Sequence, residues 1–417
     1  MKKTVLKLTV ISVLIVTVLV VSQFGSSLCN FFPEIPPINT VYIRTDGNIE
    51  PSTAPITKEN NVYTLKGDLT NTTVKIERDG IILDGAGYSI IGNDILFYAG
   101  VDISNRTNTT VKNLVIKQFG TGILMENASR NTLTENKITT YQAFSMIKAD
   151  NNIIVSNTAT NVGYGIVGTG SYNQITDNNF DSNSSDGDYG MGISLESSNN
   201  NTLSRNNISR GTGINLARCH NNTISNNTII GGGTGITLTM SSCNLVFRNI
   251  ITSVGSTALQ FSSECFNNII FENTFEKNTC AIALCYYSVE EARPENVYNN
   301  TLYRNSFVNN VNNVRSAKGT PVNYWDNGKQ GNFWSDYTGI DNNNDGKGDT
   351  PYIIDENNQD NYPLMAPYSV ENDALVLPQA EPFLIIIAAI FVAVAVAVSA
   401  GLLLFYRKKK QREAMQT

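Results

Sequence analysis

The feature that most restricts this chain is a pair of asparagines, five residues apart, that keeps returning. Pairs stand at Asn108/Asn113, Asn131/Asn136, Asn152/Asn157, Asn173/Asn178, Asn201/Asn206, Asn222/Asn227, Asn244/Asn249, Asn268/Asn273 and Asn300/Asn305, and Asp79/Asp84 reads as an earlier member. From Asn131 the steps are 21, 21, 28, 21, 22, 24 and 32 residues. The text between paired asparagines is short and β-like: N-T-L-T-E-N, N-I-I-V-S-N, N-T-I-S-N-N. A second series keeps step, a small residue followed by an apolar one: Gly122-Ile123, Ala143-Phe144, Gly165-Ile166, Gly192-Ile193, Gly213-Ile214, Gly235-Ile236, Ala258-Leu259 and Ala281-Ile282. Both series lengthen at the same coil. Short strands at this period, without helical periodicity, predict a parallel β-helix. The leucine-rich alternative lacks its L-x-x-L-x-L signature. In such a solenoid each Asn lies over the next at about 4.8 Å. Stacked side-chain amides can then hydrogen-bond as a ladder, and Asn tolerates the left-handed backbone of a tight bend.

Composition agrees. The chain holds 55 Asn among 417 residues, and only 16% of residues are charged. The net charge of -6 argues against nucleic acid as a partner. A single imidazole, His220, rules out a histidine-rich metal site.

Both ends read as membrane-directed. Lys2, Lys3 and Lys7 precede an apolar stretch centred on residues 10–21, with small residues at Gly25, Ser26 and Ser27; residues 1–29 are expected to be a signal peptide. The lipoprotein reading of Cys29 fails on Leu28, where a small residue is needed. Residues 383–406 carry no charge and are long enough to span a bilayer. Arg407, Lys408, Lys409, Lys410 and Arg412 follow, which places this tail in the cytoplasm and the body outside. The N-terminal segment carries +3 and the tail +4, so the body carries -6 - 3 - 4 = -13. The expected location is therefore a cell membrane, with a single C-terminal span and an extracellular or periplasmic body.

The N-N-T-I-x-x-N coils, the segment D-G-I-I-L-D-G-A-G at Asp79–Gly87 and the segment G-N-F-W-S-D-Y at Gly331–Tyr337 resemble the NosD-like family, over about Val41 to Met365. The resemblance implies an all-β fold, a single right-handed parallel β-helix of about ten coils. The division expected is solenoid over 38–317, cap over 318–367, linker over 368–382, transmembrane helix over 383–406 and basic tail over 407–417. Founding members of the family are linked to copper delivery to a periplasmic reductase. The wider family includes sugar-binding and sugar-cleaving β-helices. With one His and scattered Met, this chain lacks the ligands copper needs, so copper is not expected.

Four groups of residues are candidate sites. In Asp341–Asp349, D-N-N-N-D-G-K-G-D, the side chains of Asp341, Asn343 and Asp345, the Lys347 carbonyl and Asp349 match EF-hand positions 1, 3, 5, 7 and 9, with Gly346 at the sharp turn. Position 12 is Tyr352, not Glu, so a weak Ca²⁺ site is expected, with Asp336 or Asp355 as substitutes; the alternative is an Asx-rich turn. Tyr324, Trp325, Phe333, Trp334 and Tyr337 form either a plug over the last coil or a sugar-stacking platform, the plug being preferred. Asp181, Asp186, Asp188 and Tyr189 in the long coil, with Arg205, Arg210, Arg218 and His220 nearby, are the residues a lyase, epimerase or hydrolase would use. Cys219, Cys243, Cys265, Cys280 and Cys285 sit at different offsets from the asparagines and read as disulfides or buried thiols; no C-x-x-C occurs. Sequons such as Asn127-Ala128-Ser129 and Asn226-Asn227-Thr228 permit glycosylation. The functional expectation is a surface scaffold binding glycans or surface proteins, with the polysaccharide enzyme second and a copper accessory third.

Overall fold

The computed structural model describes residues 37–182, 190–284, 296–317 and 319–368. The expected signal peptide, the linker beyond Tyr368, the membrane span and the tail lie outside these residues, as do Asp186, Asp188, Tyr189, Cys29 and Cys285. Among the described residues no helix is long and apolar enough to cross a membrane.

The described residues wind into a parallel β-solenoid, and one coil serves for all. After Asn131, Thr132–Thr134 forms the first wall, Lys137–Thr139 the second and Gln142–Ile147 the third. Alternation along each strand sends Leu133, Ile138 and Phe144 inward, each essentially inaccessible. Each pairs in parallel with its equivalent one coil on: Leu133 with Ile154, Ile138 with Ala159, Phe144 with Ile166. The corners are turned by left-handed residues, Glu135 (φ 56°), Lys148 (φ 51°) and Asn151 (φ 58°). One wall is a sheet of 12 strands; the other two walls join in a sheet of 23.

Two columns of Asn run up the interior beside the corner at Glu135. The backbone N–H of Asn152 donates to Asn173 Oδ1 (2.8 Å), its Nδ2 donates to the same oxygen (3.2 Å), and Nδ2 also reaches the Ala128 carbonyl (3.0 Å). Asn157 repeats this on Asn178 Oδ1 (3.0 Å from N, 3.0 Å from Nδ2) and on the Leu133 carbonyl (2.9 Å). The amide thus satisfies corner carbonyls that no β-ladder reaches, which a hydrocarbon cannot do. Asn131, Asn152, Asn173, Asn201, Asn222 and Asn244 do share one column, as the spacing predicts.

Three readings need correction. First, Asn108/Asn113 are not rungs. Leu133 pairs with Val111, so Asn131 and Asn136 face Thr109 and Leu114, whose N–H groups donate to them (2.9 and 3.2 Å). Asn108 and Asn113 sit one residue earlier, at φ 53° each. Asp79/Asp84 are likewise outside the columns, since Leu83 pairs with Val111. Second, the rungs do not stop with the solenoid expected over 38–317 but run on into the residues expected to be a cap. Asn300 hands on to Asn323 and Asn358, and Asn305 to Asn332 and Asp360. Third, Cys219 and Cys265 share one offset, three residues before Asn222 and Asn268. They alternate with serines in an interior column: Ser198 N donates to Cys219 Sγ (3.4 Å) and Cys219 N to Ser241 Oγ (3.0 Å).

The cap segment is a continuation of the core. Trp325 and Trp334 are buried at 0% and 1% exposure. Phe275, Phe307, Trp334 and Tyr352 stack in sequence with centroids 5.3, 4.1 and 4.1 Å apart. Tyr324, by contrast, faces solvent.

Candidate functional site

The Asp341–Asp349 loop is an exposed turn whose side chains fold back on its own backbone. Asp341 accepts the N–H groups of Asp345 (3.1 Å) and Gly346 (2.9 Å), and Asn343 Oδ1 accepts that of Asp345 (3.0 Å). Gly346 takes φ 83°, which demands glycine at the sharp turn. Lys347 Nζ lies 3.1 Å from Asp345 Oδ2, and this contact holds the Asp345 carboxyl below its ordinary pKa. Asp349 turns the other way, onto Asn342 N (3.0 Å) and Nδ2 (2.7 Å). Neither substitute for position 12 enters the loop: Asp336 accepts from Asn313 and Tyr352, and Asp355 from Asn357 and Asn358. Among the described residues no three His, Cys, Asp or Glu side chains are gathered closely enough to hold a metal.

The acid and base residues of the solenoid wall meet as coil-to-coil ion pairs. Arg205 clasps Asp177 through both nitrogens (2.7 and 2.8 Å), which lowers the Asp177 pKa. Arg210 binds Asp181, and Arg218 binds Glu196. The long-coil acids and the bases therefore come together only in part: Asp181 meets Arg210, while Arg205 and Arg218 take partners that the sequence did not single out. The parallel register sets the first pair, because Asp177 and Arg205 are left-handed corner residues one over the other; Arg210 and Arg218 reach one position off the register, to the strand residues Asp181 and Glu196. A further set is Arg248–Glu272–Arg304, with contacts of 2.7 and 3.3 Å. Its members stand four residues after Asn244, Asn268 and Asn300, so the Asn period carries the signal that finds them.

Asp360 is a fully buried carboxylate that the sequence does not single out. It accepts Asn332 N (2.7 Å), Trp334 Nε1 (2.9 Å) and Tyr362 N (3.0 Å), and burial pushes its pKa up to about 6.

The donor set does not suit copper. His220 Nδ1 lies 2.8 Å from Ser242 Oγ and 3.2 Å from Ser242 N. The neighbouring Cys219 points inside and donates to the Ala217 carbonyl (3.2 Å). Burial pushes the Cys219 and Cys265 thiols up to about 11, away from the thiolate that binds metal.

A family profile described as periplasmic copper-binding protein (NosD) matches residues 38–191 and 184–339, more than half of the chain. A curated relative, the probable ABC transporter binding protein NosD of Stutzerimonas stutzeri, is 36% identical over 90 residues, 22% of this chain and 18% of that protein's length. Among solved structures, the periplasmic alginate epimerase AlgG D317A mutant aligns at 15% identity over 68% of this chain and 82% of that one, TM-score 0.43. The GH136 lacto-N-biosidase from Eubacterium ramulus aligns at 13% identity over 65% and 58%, TM-score 0.44. No chemistry is carried over from either structure.

Proposed function

The chain belongs to the NosD family, and from that premise we propose that its body is a non-catalytic binding scaffold for glycans, exported and held at the cell surface by the C-terminal apolar segment. One observation carries the reading. Among the described residues, three coil-wall carboxylates where polysaccharide chemistry would be sought are tied to guanidinium groups, Asp177 to Arg205, Asp181 to Arg210 and Glu196 to Arg218. A general acid needs a raised pKa, and at Asp177 the guanidinium acts the other way. The test is to incubate full-length protein in detergent with a panel of polysaccharides, following both retention and new chain ends. Retention without products supports the scaffold. Product formation that Asp181→Asn abolishes overturns it in favour of the enzyme. Protease added to intact cells checks the placement: the body should be degraded and a small membrane-bound remnant left.

The Asp341–Asp349 loop is assigned, within the same reading, to weak calcium binding that steadies the last coils. The spacing of Asp341, Asn343 and Asp345 and the left-handed Gly346 support this. Calcium must displace Lys347 from Asp345, and the missing position-12 Glu removes two oxygens, so affinity on the order of 10⁻⁴–10⁻³ M is expected.

A further inference from the structure

Exposed apolar side chains are scattered along the solenoid, Ile147, Ile230 and Ile250 among them, but at one corner the coil itself departs from its neighbours. From Ile90 to Val101 the chain takes 11 steps where its partner, Ile116 to Ile123, takes seven, so four residues are extra. They form a finger whose tip exposes Leu96 (64%) and Phe97 (81%). Gly120 lets the finger lie down: a Cβ there would stand 1.8 Å from the Leu96 carbonyl oxygen. Gln118 Nε2 ties the finger's Asp94 Oδ2 at 3.0 Å.

The next two coils carry tyrosines at the same corner. Tyr141 N donates to the Phe119 carbonyl (3.2 Å), and Tyr164 N to the Tyr141 carbonyl (2.9 Å). Their rings meet edge to face, 5.7 Å apart at 76°, and Tyr141 is 47% exposed. The Tyr141 ring lies across the following coil, where a Cβ on Gly163 would stand 2.8 Å from its Cε2. Three coil steps at about 4.8 Å run from the finger to Tyr164, roughly 14 Å in all.

Resting on the binding-scaffold reading, we propose that this corner is a subsite for a neutral oligosaccharide, with Tyr141 and Tyr164 as its floor and the Leu96–Phe97 finger as its end wall. Exposed aromatic and aliphatic groups gathered at one corner, where the others along the coils stand singly, mark an interaction site. A tyrosine offers an apolar face for sugar C–H groups and a hydroxyl for their oxygens. The polar groups at this corner are Gln118, Thr121 and Gln142, amides and a hydroxyl suited to uncharged hydroxyls, and the Asp94 carboxylate held by Gln118, which repels a uronate. Arg210 stands two residues before Thr212, which is two coils beyond Tyr164 in the register, and it is paired with Asp181.

The test uses full-length protein in detergent with cellohexaose, chitohexaose, oligogalacturonate and oligomannuronate, by calorimetry. A neutral hexasaccharide should bind, and Tyr141→Ala and Phe97→Ser should each weaken it roughly tenfold with circular dichroism unchanged. Gly163→Ala should also weaken it, because it lifts the Tyr141 ring without removing a contact group. Tyr324→Ala, an exposed tyrosine of the last coils (52%), should change nothing. Neutral-glycan binding that survives Tyr141→Ala and Phe97→Ser overturns this site and leaves the scaffold reading intact. Preference for the uronates overturns the assigned chemistry. If the wild type binds none of them, both fall.

Discussion

The coils before Asn131 and those after it solve the same corner differently. In the early coils the two interior corner positions are filled by Ile81, Thr109 and Leu114, all buried. In the later ones they are Asn, and the amide oxygen of each rung takes two donors from the coil before. The early coils gain hydrocarbon burial and leave the corner carbonyls to the next rung up: Arg106 and Val111 oxygens are taken by Asn131 and Asn136 Nδ2 (3.0 Å each). The later coils trade burial for a continuous polar seam. The final coils then add the aromatic stack through Trp334. Register in the early part thus rests on shape, and in the later part on directional bonds that misalignment would leave unmet.

Substitutions can break this contrast, beginning with the largest effect. Trp334→Ala empties a site packed between Phe307 and Tyr352 and removes one of the three donors to the Asp360 carboxylate, so it should cost about 3–5 kcal/mol, read as a lower denaturation midpoint. Asn152→Leu leaves Asn131 N and one of the two Asn131 Nδ2 hydrogens without an acceptor, the other staying on the Arg106 carbonyl, and the Ala128 carbonyl without a donor. At about 1 kcal/mol or more per stranded group, it should cost about 3 kcal/mol. Leu114→Asn, which writes a rung into the early coils, should stay within about 1 kcal/mol, because an added amide bond offsets lost burial. If Asn152→Leu costs no more than Leu114→Asn, the polar seam does not hold the later coils.

The last rung makes a smaller, pH-dependent statement. Asp360 is raised to about 6 when folded, above an ordinary carboxyl. The folded state therefore binds the proton more tightly. Its contribution is fully present below the unfolded value and is lost as pH rises through about 6. Between pH 7 and 4.5 wild type should gain about 2 kcal/mol relative to Asp360→Asn, which cannot titrate. Parallel pH profiles for the two proteins would remove Asp360 as the cause. Smallest of all, millimolar calcium should stabilise the wild type by about 1 kcal/mol through mass action, and Asp345→Ala should not respond. An equal shift in the mutant, or none in the wild type, makes the loop a plain turn.

The spacing made the ladder legible because each rung needs one residue type at one depth, and the period repeats it. It misled at Asn108 and Asn113 because Asn also suits left-handed corners, one residue from the rung, and the two demands look alike in sequence. It went silent after Asn305 because the next pair, Asn323 and Asn332, is nine apart, and the last, Asn358 and Asp360, only two. The cysteine column stayed hidden because Ser and Cys share the position, so neither recurs alone. The functional residues were less legible. The Asp341–Asp349 turn was found from its spacing, but the finger at Leu96–Phe97 has no counterpart in other coils, so a search for periods passes over it. Tyr141 and Tyr164 come into register only once the coils are wound.

The ladder also has a direction. From Asn131 to Asn305 each rung gives its backbone N–H and one amide hydrogen to the rung after it, the other amide hydrogen going to a corner carbonyl. Such a chain can be spliced: a duplicated stretch of one period, inserted between two rungs, finds a donor on one side and an acceptor on the other. The wall can therefore lengthen or shorten by whole coils over evolutionary time without renegotiating its ends. What it cannot do is continue past Asp360, which accepts from Asn332 and has no side-chain hydrogen to pass on when ionised. The carboxylate closes that column alone: its neighbour ends on Asn358, whose Nδ2 turns to the Pro321 carbonyl and to Asp355 instead.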